Sequence, residues 1–333
     1  MKRIFSILIC INVITSCDTR QDNRSRVVEK SIEKISNIHD HHVHIMSPQL
    51  INLWKEMGIP FSKEDKSYSD IDTILRATSA KSISLVSMAY VFSSDEFGGG
   101  TGNGAKKTQN ENDYLAQAKS KYPQKIKAYY GIDPLSDFAL AEIKRCYKKL
   151  KLDGIKLHHN ASQVYLTEPE HLAKVKSIFQ YASDNKIPIL MHFDNSHPKF
   201  GRTDVKILAD SVLLSLDYVN LQIAHFGTSG GFSQKTRSVL DGFIELFQSN
   251  HPISKHKITF DISAVCLDKD AEGVARLTEK EFAELAVYCR KLGFNRIVFG
   301  TDYPLYRSTE YLDILKSKLN LTESELVILL EDK

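Results

Sequence analysis

The sequence predicts an α/β protein, a single (β/α)8 TIM barrel, on three observations: eight short β-branched runs, amphipathic stretches between them, and no dinucleotide-type glycine fingerprint after the first run. The runs are NIHDHHVHI, SISLVSMAYVF, KIKAYYGI, GIKLH, IPILMHF, NLQIAHFG, KITFDISAV and RIVFGTDYP, starting near residues 37, 82, 125, 154, 187, 220, 257 and 296. Intervals of about 30 to 45 residues leave room for a strand, a crossover helix and two loops. Between the runs, residues 168–186 place Leu172, Val175, Phe179 and Ala182 at helical spacing. Thr278 and Glu281 make a capping-box signature before a helix that ends at Gly293. A doubly wound open sheet competes, but its dinucleotide form needs GxGxxG where this chain has HDHHVHIMSP.

Composition bounds the rest. With 333 residues, 42% apolar and 26% charged, the chain reads as an ordinary globular body and neither as a disordered nor as a collagenous one. A net charge of +3, with Lys2 and Arg3 in the leader, offers no clustered basic footprint, so nucleic acid is not an expected partner. Of five cysteines, Cys10 and Cys17 fall in the leader, while Cys146, Cys266 and Cys289 have neither paired nor CxxC spacing and read as buried thiols.

Residues 1–17, MKRIFSILICINVITSC, combine a basic start with an apolar run from Ile4 to Ile14 that is too short to span a bilayer but suits a signal peptide. Ile14-Thr15-Ser16-Cys17 resembles a bacterial lipobox. The expectation is a signal peptide over 1–16, a lipidated Cys17 opening a tether over 17–35, and a barrel over 36–333. That places the body outside the cytoplasm, periplasmic or at the cell surface, held to a membrane by lipid. After the second run, DEFGGGTGNGAKKTQNEND (95–113) is glycine-rich and nearly devoid of apolar residues, so it is expected outside the core as a rim loop and candidate lid.

The chemical signal is where the histidines fall. His42 and His44 end strand 1, His192 strand 5 and His225 strand 6, and Asp302 ends strand 8. Strand alternation turns His42 and His44 into the barrel together, leaves His39 and His41 facing the helices, and gives Asp40 the inward parity of a supporting residue. A lone histidine there would be an ordinary core residue; five such groups at four strand ends are not. Imidazoles and a carboxylate converging with room for water suit zinc or a similar divalent ion at ~2.0–2.2 Å.

Asp40-His41-His42-Val43-His44, Met191-His192, Ala224-His225-Phe226-Gly227 and Gly300-Thr301-Asp302-Tyr303-Pro304 resemble the metal motifs of the amidohydrolase superfamily. The likeness, over residues 36 to 320, is to its second branch, which includes aminocarboxymuconate semialdehyde decarboxylase and related hydrolases. It implies that His42, His44, His192 and Asp302 ligate one divalent ion, zinc first, with manganese or iron as alternatives. It also implies Asp302 as proton acceptor and donor, and His225 as the group polarising a developing oxyanion. The implied activity on a small-molecule partner is hydrolysis of a carboxylic ester, lactone or amide. Non-oxidative decarboxylation on the same site is the alternative, and a non-catalytic lipid-anchored binding protein the third reading.

Lys156, beside His158 at the end of strand 4, leaves three readings open: a cation for a substrate carboxylate, a structural partner of an interior acid, or a carbamylated bridge to a second ion. On the rim, Gly230 within Gly227–Gly231 offers backbone N–H groups and Arg307 a carboxylate clamp, so both join Lys156 and His158 as candidate substrate-binding residues. Oligomeric state is left open by the sequence.

Overall fold

The computed structural model describes residues 38–98, 102–271 and 273–333; the leader, Cys17 and the tether lie outside them. Eight parallel strands pair in sequence order: β1 (His39–Ile45), β2 (Ser82–Ser87), β3 (Ile126–Gly131), β4 (Gly154–His158), β5 (Ile189–His192), β6 (Asn220–Ile223), β7 (Lys257–Asp261) and β8 (Ile297–Val298). The ring closes where His41 N–H donates to Phe299 O and His44 N–H to Tyr303 O, each at 2.9 Å. The eight expected runs are therefore the eight strands of a TIM barrel.

Outside them lie helices α1 (Pro48–Glu56), α2 (Ile71–Thr78), α3 (Gly104–Lys121), α4 (Ala139–Lys148), α5 (Pro169–Asn185), α6 (Arg202–Ile207), α7 (Gln234–Gln248), α8 (Glu279–Leu292), α9 (Ser308–Leu319) and α10 (Glu323–Leu330). Thr278 Oγ1 and Glu281 cap α8 reciprocally, as the sequence signature requires. Strand residues such as Ile155, Leu157, Ile189, Met191, Leu221 and Phe260 are fully buried against Val175 and Phe179 of α5 and their counterparts. Each contributes about 1.5–3 kcal/mol by leaving water. Cys146, Cys266 and Cys289 are buried and unpaired, as expected. No helix among the described residues is long and apolar enough to cross a membrane.

Two expectations need correction. The first concerns parity in β1. Its pairing with β2 slips between Asp40 and Val43, and the extra residue shifts the side-chain alternation. His39 and His41 therefore do not face the helices. His39 lies inside the barrel toward its N-terminal floor, its ring nitrogens 2.7 Å from Ser82 Oγ and 2.9 Å from Ser84 Oγ, with His41 edge-on to it at 4.4 Å. Asp40 turns toward the seam with β8 and accepts from Thr301 N–H at 3.1 Å, Thr301 Oγ1 at 2.8 Å, Ser308 Oγ at 3.1 Å and His42 N–H at 3.2 Å.

The second concerns the glycine-rich segment. From Gly104 it is helical, and Thr108, Glu111, Asn112, Leu115 and Ala118 make a buried face of α3. Asn112 bonds both the N–H and the C=O of Gly131 at 3.1 Å, tying that face to β3. Glu111 accepts from Ser47 N–H at 2.8 Å, and burial pushes its carboxyl from the ordinary 4.5 up to about 7. The folded chain thus takes up a proton between those two values, and stability falls as pH rises through that window. Glu111→Gln, which keeps an acceptor for Ser47, should flatten the slope and exceed the wild type by about 3 kcal/mol at pH 8 while matching it near pH 4. Urea unfolding at the two pH values checks this.

Candidate metal centre

The C-terminal mouth of the barrel gathers side chains from three strands and from the turns that follow two others. His42 and His44 come from β1, Lys156 and His158 from β4, and His192 from β5. His225 comes from the turn after β6, and Asp302 from the turn after β8. His225 (φ 51°), Phe226 (φ 54°) and Asp302 (φ 54°) all adopt left-handed backbone, which costs non-glycine residues about 1–2 kcal/mol each. Tight local bonding holds them there. His225 N–H donates to Asp261 Oδ1 at 3.0 Å. Thr301 bonds Asp40 through its backbone N–H and hydroxyl, and accepts from Tyr303 N–H, so the turn carrying Asp302 is pinned on both sides.

Three donor atoms converge. Asp302 Oδ1 lies 3.1 Å from His44 Nε2 and 3.7 Å from His42 Nε2, and the three residues' ligand atoms lie within 4.8 Å of one another. Asp302 Oδ1 and His44 Nδ1 are buried without a hydrogen-bond partner. Burial alone would raise the Asp302 carboxyl, but the nearby His225, His44 and His42 outweigh it and hold it well below the carboxylate range. His42 is driven the other way, down to about 3, by burial and by the charge of Lys156. Neutral imidazoles facing an ionised, unpartnered carboxylate oxygen are the donor set of a divalent ion, and the residues fit one.

Behind the ligands stands a residue that sequence reading missed. Asp261, fully buried at the end of β7, faces His42 Nδ1 with Oδ2 at 3.2 Å and accepts from Gln222 Nε2 at 2.7 Å. Burial would raise its carboxyl, but the proximity and hydrogen bond of His42 and the proximity and backbone N–H of His225 hold it below the carboxylate range. A carboxylate there keeps the His42 proton on Nδ1 and leaves the Nε2 lone pair toward the mouth. Ser263 Oγ, 2.9 Å from His225 Nδ1 and 3.2 Å from His42 Nδ1, links the two rings. Asp261 and Ser263 share the inward parity of β7, which is the signal that could have found them.

The other expected site residues are distributed around this core. Lys156 is 1% exposed, its Nζ 3.3 Å from His42 Nε2, and burial lowers it to about 8. His158 and His192 stack at 3.9 Å. His192 is 5.4 Å from the His225 ring, its Nε2 3.3 Å from Ser229 Oγ, so it flanks the three converging atoms rather than joining them in this arrangement. Gly230, at φ +102°, lets its loop pass the β7 side of the mouth, where a Cβ would come within 2.9 Å of Ala264 O. Arg307 is exposed at the start of α9, outside the cluster.

A family model described as amidohydrolase matches residues 40–326. Among solved structures, the fold is similar to that of 5-carboxyvanillate decarboxylase from Sphingomonas paucimobilis, at 12% identity over 89% of this chain and 96% of that one, TM-score 0.58. It is similar to a dihydroxybenzoic acid decarboxylase from Polaromonas with bound manganese, at 14% identity over 89% of this chain and 94% of that one, TM-score 0.58. It is also similar to 4-oxalomesaconate hydratase from Rhodopseudomonas palustris, at 13% identity over 88% and 93%, TM-score 0.54. No curated protein matches the chain. With the family match running the length of the barrel and a histidine–carboxylate cluster at its mouth, the chain belongs to the amidohydrolase superfamily, in its second branch, a family of metal-dependent enzymes.

Proposed function

We propose that the protein is a metal-dependent hydrolase that cleaves an ester, lactone or amide of a small carboxylate substrate. The observation that carries this reading is Asp302: ionised, converging through one oxygen with His42 and His44, and with a side chain 14% exposed to the mouth. His42, His44 and Asp302, with His192 beside them, would hold the ion, zinc being the first candidate. When bound, a divalent ion there supplies Lewis acidity, bringing the pKa of a water toward ~7 and polarising a carbonyl.

The chain's own residues do the rest. Asp302 takes the proton of the attacking water and returns it to the leaving group. His225, anchored through Nδ1 at 2.9 Å from Ser263 O, stands 4.8 Å from the His42 ring and hydrogen-bonds a developing oxyanion. Lys156, a desolvated cation beneath the site, holds the substrate carboxylate.

Non-oxidative decarboxylation is the second reading. It is supported by that same buried cation and by the decarboxylases among the similar folds. A panel of esters, lactones, amides and aromatic or unsaturated carboxylates, assayed for acid release and for carbon dioxide, separates the two. The expected result is acid release that disappears on chelation and returns with zinc; carbon dioxide release alone would replace the hydrolase reading with the second.

A further inference from the structure

The opposite end of the barrel holds a second convergence of donors, made by the bulge in β1. His39 and His41 meet Asp332, which follows α10 and closes the floor, and the ligand atoms of the three residues lie within 4.8 Å of one another. His41 Nε2 is buried without a hydrogen-bond partner and points at Asp332 Oδ1 from 3.7 Å. We infer that His39, His41 and Asp332 form a second divalent-cation site of zinc type, separate from the one at the mouth, which clasps the C-terminal segment to β1.

The donor chemistry suits the ion. Two imidazoles and one carboxylate leave a fourth, tetrahedral position to water. Bonds of ~2.1 Å would set the donors about 3.4 Å apart, so the spread must close by roughly 1 Å. Asp332, its side chain 49% exposed and outside any helix or strand, has the freedom to move that far. One ring nitrogen of His39 bears a lone pair that faces a serine hydroxyl, which rotates away at little cost. The other serine then keeps its hold on the ring N–H and orients the ligand.

The competitor is Lys127, whose Nζ sits 3.2 Å from Asp332 Oδ2. Both side chains are about half exposed, and such a pair is worth at most about 1 kcal/mol, so it yields to a metal ion. The cationic neighbourhood weakens the site without abolishing it, which gives the inference a distinctive test: removing Lys127 should strengthen metal binding.

The experiment is equilibrium dialysis of the full chain against zinc, with elemental analysis. The wild type should take up a second equivalent beyond the one lost in His44→Ala. That equivalent should vanish in His39→Gln and in Asp332→Ala while the mouth ion stays, and its affinity should rise about tenfold in Lys127→Ala. A single equivalent in the wild type, or a second one that survives both His39→Gln and Asp332→Ala, overturns the inference. Neither result bears on the mouth site, which is scored by His44→Ala alone. Asp332→Ala alters a half-exposed side chain, so it remains informative should His39→Gln fold poorly.

Discussion

Asp302→Asn should reduce kcat by about 10^3-fold with little change in KM, because the amide preserves a ligand oxygen but cannot accept a proton. The side chain is nearly isosteric, and the turn that carries it is set by Thr301 and Asp40 rather than by Asp302 itself. The fold should therefore persist. Loss of a negative charge facing His42 and His44 would also weaken the ion, so metal content must be measured on the same preparation. Full turnover with the ion bound would end the proton-transfer role assigned to Asp302; loss of activity with loss of the ion, recovered at high zinc, would confine the residue to ligation.

The second large effect is on stability. Asp40 is wholly buried and accepts four hydrogen bonds, three of them across the β1–β8 seam, against a burial penalty that lifts its carboxyl to about 7. Asp40→Ala leaves two backbone N–H groups and two hydroxyls without their acceptor at the place where the ring closes through only a few backbone bonds. A loss of about 3–5 kcal/mol is expected, read from urea denaturation at neutral pH. Activity should fall as well, at temperatures where the variant is still folded, since Asp40 fixes the Thr301 turn and so the position of Asp302. A variant as stable as the wild type would show that backbone pairing alone closes the barrel.

The strands were legible because each is a compact β-branched run buried on both faces, and their spacing admits a crossover helix every time. His42, His44 and Asp302 were legible because chemistry at strand ends stands out against apolar runs. Asp261 was not: a single acid within KITFDISAV looks like any polar residue on a strand, and only its partners His42, Gln222 and His225, distant in sequence, give it meaning. The helical face of α3 escaped notice because Thr108, Glu111 and Asn112, three of its five buried positions, are polar. The parity of His39 and His41 depends on a bulge, and a bulge is a property of pairing between strands, invisible in one of them.

That irregularity in β1 has a wider meaning. A regular strand would spend alternate residues on the outer wall, whereas here four consecutive positions, His39–His42, furnish donors to both openings of the cylinder and a brace for its seam. Top and bottom are thereby coupled through a single short word of sequence. Lengthening or shortening it by one residue would turn the mouth's imidazoles onto the helices, so the two ends of this molecule are free to change in kind but not in register.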